Sequence, residues 1–488
     1  MSLSRRIFYN TLAQSLGKVF AALIGLVTIS VLSQYLREQG FGQYSTVVAF
    51  LGFFAVLADF GLYLYVVREI SKPQTDHFRI LSNALGLRLT AALSTLLLGA
   101  LLALLFPYDA VVKRTMFLGI LAFVSVSLNQ VFVGVFQKHL VQHLVVFSET
   151  IGRAVNLLLV YAFIKGALGV PFFILALMIG SGANLLMTWL FAKRYEKFGI
   201  AFEIKVWKEI LLVSWPLIFA VFLNLLYFKT DTVILSLFHP PETVGIYSLP
   251  YKLLEGLLAF PAMFVGLVMP LLSKTAFSDW GKFKMILQHA FNALVLMAIL
   301  VILTFVCFSQ KIIELVKIVA RLSLPSRQVL GILSTTQSYA DSPALLQILV
   351  LSAGTIFLGT LFGYAVVAIN QQKAMIKGYA LSAVIGLAWY FALIPRFGYW
   401  AAAWGTLLTE IIACAYAYYL VRKTSGQKLS WKIIYPALPA AGLMLSFFLL
   451  VSLPWILEVI LGGLIYIFAL IAFKAIPWQF VKEIIFIK

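Results

Sequence analysis

The sequence predicts an all-α, polytopic membrane protein with about 14 transmembrane helices. Three observations lead there. Of the 488 residues, 62% are hydrophobic and 11% charged, against about 25% charged in soluble domains. Mean hydropathy is +1.00, so the apolar excess is global and exceeds what a soluble interior can hide. The apolar residues also fall into runs long enough for a bilayer core of about 30 Å, which takes ~20 residues per helix. A soluble enzyme or binding domain is excluded.

In order, the predicted segments are 12–36, 42–68, 81–106, 115–137, 143–164, 170–192, 211–238, 243–271, 285–309, 343–369, 374–394, 399–421, 432–452 and 455–475. The first follows Arg5 and Arg6 without a small-residue cleavage site, so it reads as a retained helix. REQG (37–40) separates the first two segments, HPPETVG (239–245) the seventh and eighth, and IPRFG (394–398) the eleventh and twelfth. These are turn-forming residues. The longest connection, near 310–342, carries Lys311, Lys317, Arg321 and Arg327. It reads as an amphipathic interfacial helix.

With the N-terminus inside, 24 Lys or Arg fall on or near the inner side, nine on the outer side and four deeper in the segments (Lys18, Arg153, Lys229 and Lys252), which accounts for all 37. Basic loops stay cytoplasmic, so both termini are expected there and the protein in the cytoplasmic (inner) membrane. The same bias explains most of the net charge of +19 without nucleic acid. Cys307 and Cys414 both lie in apolar segments, so no disulfide framework is implied.

Residues 32–45 align with 235–248 at an offset of 203: Leu32, Ser33, Gly42, Tyr44 and Ser45 meet Leu235, Ser236, Gly245, Tyr247 and Ser248. Later the best offset is 229, where Lys193-Arg194 meets Arg422-Lys423 and Gly134 meets Gly363. The expected organisation is an N-terminal lobe (1–200, six helices), a C-terminal lobe (201–425, six helices) and a helix pair (426–488). Parallel copies of this kind build two-lobed transporters.

Ionisable groups at mid-bilayer cost roughly 2.5–3.5 kcal/mol each, so they need a watery cavity or partners. Asn10, Gln14 and Lys18 form one stripe on the first segment. Glu149, Arg153 and Asn156 share a face of the fifth, and Asn224, Tyr227 and Asp231 a face of the seventh, with Lys229 beside them. Tyr247, Tyr251 and Glu255 line the eighth, with Lys252 adjacent. Arg88, Asp59 and Glu410 lie within the third, second and twelfth segments. Two readings stand: a polar cavity for a charged solute, or pairs that lock helices together. Glu149 with Arg153, and Lys252 with Glu255, have spacings that allow pairing within one helix.

No GxxxxGK[ST] is present, so the chain carries no P-loop ATPase. No metal-ligand spacing stands out and no cofactor is expected; His139 and His143 lack a third ligand. No outer loop has the close acidic pair that a metal-dependent glycosyltransferase needs.

Several stretches resemble one family. FGQYSTVVAFLGFFAVLADFGL (41–62), KTDTVILSLFHPPETVGIYSLPYKLLE (229–255), MPLLSK (269–274), YADSPALLQIL (339–349) and IPRFGYWAAAWGTLLTE (394–410) are similar to the Wzx-type oligosaccharide flippases. These are polysaccharide exporters of the multidrug/oligosaccharidyl-lipid/polysaccharide exporter superfamily. The resemblance implies a V-shaped, two-lobed exporter, not an enzyme, that flips a lipid-linked oligosaccharide by alternating access, as in lipopolysaccharide O-antigen export. It implies basic cavity residues that meet a polyprenyl diphosphate: Lys18, Arg153, Lys229 and Lys252, with Arg88 near the inner mouth. Asp59, Glu149, Asp231 and Glu255 would pair with them or carry a coupling proton or sodium ion. Expected partners are the lipid-linked oligosaccharide, membrane lipids, and a glycan polymerase or glycosyltransferases. The rival readings are a multidrug cation antiporter of the same superfamily and a membrane polymerase or glycosyltransferase. The stretch near 316–338 is longer than the family pattern.

Overall fold

In the computed structural model the described residues are 3–58, 62–70, 75–139, 141–323, 339–426 and 428–475. Among them every regular element is a helix. These are α1 (Leu3–Leu57), α2 (Leu62–Ile70), α3 (His77–Ala103), α4 (Ala110–Lys138), α5 (His143–Lys165), α6 (Val170–Ala192), α7 (Ile204–Phe228), α8 (Thr230–Phe238), α9 (Pro241–Leu257), α10 (Ala259–Thr275), α11 (Trp280–Cys307), α12 (Ser309–Ser323), α13 (Ser342–Ala368), α14 (Gln372–Phe397), α15 (Tyr399–Ser425), α16 (Ile434–Leu450) and α17 (Trp455–Ala472). Among the described residues, 11 helices are long and apolar enough to cross a membrane, and Ile434–Leu450 is a shorter apolar one. The chain is a multi-pass membrane protein.

The predicted segments are helical, and the differences lie at breaks. The first and most of the second form one element, α1, interrupted at Arg37, whose φ of 56° and ψ of −172° are not helical, and the end of the second lies in α2. The seventh divides into α7 and α8 at Lys229. The eighth divides into α9 and α10 at Leu258, because Pro261 has no N–H to offer the Leu257 carbonyl. The helix starts are sealed by short acidic side chains. Asp76 accepts from Arg79 N (3.0 Å), Asp109 from Val112 N (2.7 Å) and Asp279 from Lys282 N (3.0 Å), which satisfies N–H groups that no helical carbonyl reaches. The long connection contains α12. Ile313, Val316 and Ala320 are buried on one face, while Lys311 and Glu314 point out on the other, the amphipathic pattern read from its charges.

The chain divides into two compact units. The first comprises 1–252, 316–340 and 383–405. Its helices meet where small residues let backbones approach. A Cβ on Gly152 of α5 would lie 2.7 Å from the Gly180 carbonyl oxygen of α6, and a Cβ on Gly180 2.7 Å from that of Gly152. The second unit comprises 253–315, 341–382 and 406–488. Phe291 stacks on Phe362 and meets Trp431 edge-on, and Tyr466 donates to the Leu296 carbonyl.

Candidate functional site

The α1–α5 contact holds the first group. Arg153 donates from Nε and Nη2 to Glu149 Oε1 (2.9 and 2.6 Å) and from Nη1 to the Ala21 carbonyl (3.3 Å). Gly25 makes this possible, since a Cβ there would lie 2.5 Å from Nη1. Both side chains keep an open side, 42% and 35% exposed. The pair is therefore a charged surface of the unit and not a sealed lock. Lys18, seven residues before Gly25, is exposed.

The second group surrounds the break between α7 and α8. A helix interrupted within a bilayer must satisfy the carbonyls it frees. Here tyrosine hydroxyls do so: Tyr251 donates to the Phe228 carbonyl (2.7 Å) and Tyr390 to that of Tyr227 (3.3 Å). Lys229 occupies the break, its Nζ 5.2 and 5.4 Å from the Phe228 and Tyr251 ring centroids, within cation–π range. Asp231, fully buried, stands in the first turn of α8, where the helix dipole favours a negative charge. It accepts from Thr232 N (2.6 Å) and from the Tyr247 hydroxyl (2.6 Å). Lys252 and Glu255 are half-buried on α9.

Beside this break the two repeated segments clasp each other. A Cβ on Gly42 would collide with the Pro241 carbonyl oxygen, and one on Gly245 with that of Glu38. Glu38 and Pro241 are themselves 203 residues apart, so the contact is reciprocal: each aligned glycine meets the residue equivalent to the other's partner. Two tyrosines extend the relation. Tyr108 pairs with Ser236 Oγ (2.8 Å), and Tyr339 donates to the carbonyl of Ser33, the residue aligned with Ser236. Tyr339 also donates its N–H to Glu38.

Arg88, which the resemblance places near the inner mouth, is a buried residue of the first unit. It is 2% exposed and donates to the Ser127 and Ala58 carbonyls (3.1 and 3.2 Å), so it is packed among α3, α4 and the end of α1. Asp59 and the side chains of Asn10 and Gln14 lie outside the described residues. Glu410 is 7% exposed in α15 of the second unit; its sequence position alone suggested no role. Sequence reasoning also missed Glu196. It accepts from Lys138 Nζ (2.5 Å) and His139 Nε2 (2.9 Å) and pairs with His77 Nδ1 (3.2 Å). Burial pushes this carboxyl up, but the Lys138 and His139 hydrogen bonds, the Lys138 charge and the His77 contact outweigh it, leaving it below the ordinary value. Among the described residues no group of three or more His, Cys, Asp or Glu is placed to hold a metal.

Residues 7–276, more than half of the chain, match the sequence profile described as Polysaccharide biosynthesis protein. The chain belongs to this family. The family member is similar in fold to the lipid II flippase MurJ in an inward closed conformation, with a TM-score of 0.78 and 14% identity over 95% of this chain and 99% of that one. It is also similar to the Vibrio cholerae MATE transporter VcmN, with a TM-score of 0.57 and 16% identity over 87% and 99% of the two chains. A transporter of the MOP superfamily from Pyrococcus furiosus gives a TM-score of 0.57 and 14% identity, covering 86% and 95%. No curated protein matches by sequence. The fold is that of membrane transporters.

Proposed function

We propose that this polysaccharide biosynthesis protein is a flippase for a lipid-linked oligosaccharide, working by alternating access in the cytoplasmic membrane with both termini cytoplasmic. The observation that carries the reading is the broken helix at Lys229–Asp231. Discontinuous helices at membrane depth mark substrate and coupling-ion sites. Here the break presents a lysine between aromatic rings, with a buried carboxylate two residues along. Lys18, Arg153, Lys229 and Lys252 meet the diphosphate by charge-assisted bonds, strong where water is scarce. Glu149 holds Arg153 when the site is empty, and Asp231 and Glu255 are the further carboxylates for pairing or ion coupling. Arg88 is left out, because its donors are spent on backbone carbonyls. The fold shared with a lipid II flippase supports a lipid-linked cargo. No covalent bond is made or broken; glycosyltransferases supply the cargo and a polymerase consumes it.

The reciprocal glycine clasp supports alternating access, since a contact between two repeated helix pairs can open and close as a unit. A second reading, a cation antiporter, is favoured by the buried carboxyls of Asp231 and Glu410. The deciding experiment places a lipid-linked oligosaccharide in one leaflet of proteoliposomes and follows its exposure to an external glycosidase. Wild type is expected to translocate, and Arg153→Ala and Lys252→Ala to fail. Translocation that survives both variants would remove these residues from the site. Uptake of a cationic dye driven by a proton or sodium gradient, without glycan movement, would establish the antiporter.

A further inference from the structure

The first unit also contains an apolar groove that the transport reading does not use. Its volume is about 530 Å³, within the range of small-molecule sites of roughly 300–1,000 Å³. Leu85 of α3, Phe132 of α4, Trp189 of α6 and Ile200 line it. The groove owes its depth to Gly182: no atom lies within 4 Å of the position a Cβ would take. Its wall is fixed. Gly199 N donates to Ser82 Oγ (2.8 Å), Ala201 N to the Ser82 carbonyl (3.0 Å), and Glu203 N to Asn83 Oδ1 (2.9 Å).

One charged residue lines this groove: Lys193, exposed where α6 ends. Its Nζ stands 3.6 Å over the Trp189 ring centroid. Arg194 and Lys197 follow immediately. Glu196, the nearest carboxylate in sequence, is engaged by Lys138, His139 and His77, so it does not cancel this positive end. An apolar slot along three membrane helices, with a cation at the end where they leave the membrane, matches an anionic lipid in both chemistry and polarity.

We propose that this groove binds one anionic phospholipid, with an acyl chain along Gly182 and Phe132 and the phosphate on Lys193. The lipid is a resident of the protein and distinct from its cargo. The site does not depend on which solute is transported.

The test uses the full chain in vesicles of phosphatidylcholine mixed with brominated-chain phosphatidylglycerol, or with brominated-chain phosphatidylcholine. Bromine quenches a tryptophan that its chain touches, and the Trp189 signal is the difference between wild type and Trp189→Phe. Trp189 is expected to be half-quenched at about fivefold lower phosphatidylglycerol than phosphatidylcholine. That is the ~1 kcal/mol one lysine contributes near an anionic lipid, at tenfold per 1.4 kcal/mol. Lys193→Ala, a change at an exposed side chain, should equalise the two lipids. Gly182→Leu should protect Trp189 from both while the other nine of the ten tryptophans quench as before. Equal quenching by both headgroups in wild type would overturn the proposal, as would a preference that survives Lys193→Ala. Displacement of the brominated chain by a lipid-linked oligosaccharide, but not by unlabelled phosphatidylglycerol, would overturn it too by assigning the groove to the cargo.

Discussion

The segments 32–45 and 235–248 have one architecture and unequal chemistry. Both carry a glycine that the other segment's carbonyl presses against, and both are met by a tyrosine from a distant connection. The flanking helices then diverge. At Lys229, Asp231, Tyr251, Lys252 and Glu255 the second copy is ionisable or phenolic. At the aligned positions the first has Leu26, Thr28, Val48, Ala49 and Gly52. Thr28 spends its hydroxyl on its own helix, at the Ile24 carbonyl (2.8 Å), whereas Asp231 reaches across to Tyr247. The first copy brings charge to its helix from outside, through Arg153 lying over Gly25. The glycine clasp is thus shared equally by the copies, while the helix break with its cluster of ionisable side chains belongs to the second; the first has Lys18 on α1 and takes Arg153 from α5.

The largest expected effect tests the shared half. Gly42→Ala and Gly245→Ala each drive a methyl group into a backbone carbonyl that no rotamer change can move. Both should reduce translocation at least tenfold, and to similar extents, because the contacts are reciprocal. Proteoliposome transport beside a size-exclusion check of folding reads this out. Near-normal transport by either variant would break the equivalence. The next effect tests the unequal half. Asp231→Asn should abolish most translocation, whereas Thr28→Val at the aligned position should stay within about twofold of wild type, since a hydroxyl bonded to its own helix adds little. Equal losses would mean that the chemistry is symmetric after all.

How far the sequence carries can be judged at particular residues. The helices were legible because a span needs some 20 apolar residues whatever surrounds it. The repeat was legible through five identities at one offset. That Gly42 and Gly245 touch was not, since an offset records equivalence and not contact. The break at Lys229 has neither proline nor glycine; its KTD triplet reads the same in an unbroken helix, and the tyrosines that satisfy it come from 251 and 390. Arg88 was placed by depth along its helix, which does not reveal which way a side chain turns. Glu196 escaped notice because its partners arise from positions 77, 138 and 139, brought together only by packing.

A moderate effect should separate the two tyrosine contacts. Tyr339→Phe removes a hydrogen bond from the buried Ser33 carbonyl, one turn before the break at Arg37. It should cost about 1–3 kcal/mol, the range for stranding a buried polar group. Tyr108→Phe leaves Ser236 Oγ still bonded to the Val233 carbonyl at 2.7 Å, so about 0.5–1.5 kcal/mol is expected. Melting of the two variants in one detergent compares them directly. A larger loss for Tyr108→Phe would reverse the assignment of the stronger contact.

The smallest effect marks where the comparison ends. Glu196 and its partners belong to neither copy of the clasp, so Glu196→Gln should lower stability without altering the relative transport of the two glycine variants. Its pH dependence follows from its environment. The folded carboxyl lies below the ordinary 4.5, so its contribution is complete above that value and disappears as pH falls through the folded value. The gap in melting temperature between wild type and Glu196→Gln should therefore be widest near neutrality and close below pH 4.5. A gap that persists in acid would show that the carboxylate's charge is not what holds Lys138, His139 and His77 together. In that case Glu196 would contribute by shape alone, and the basic end of α6 would lose the neutral flank that leaves Lys193 available to a phosphate.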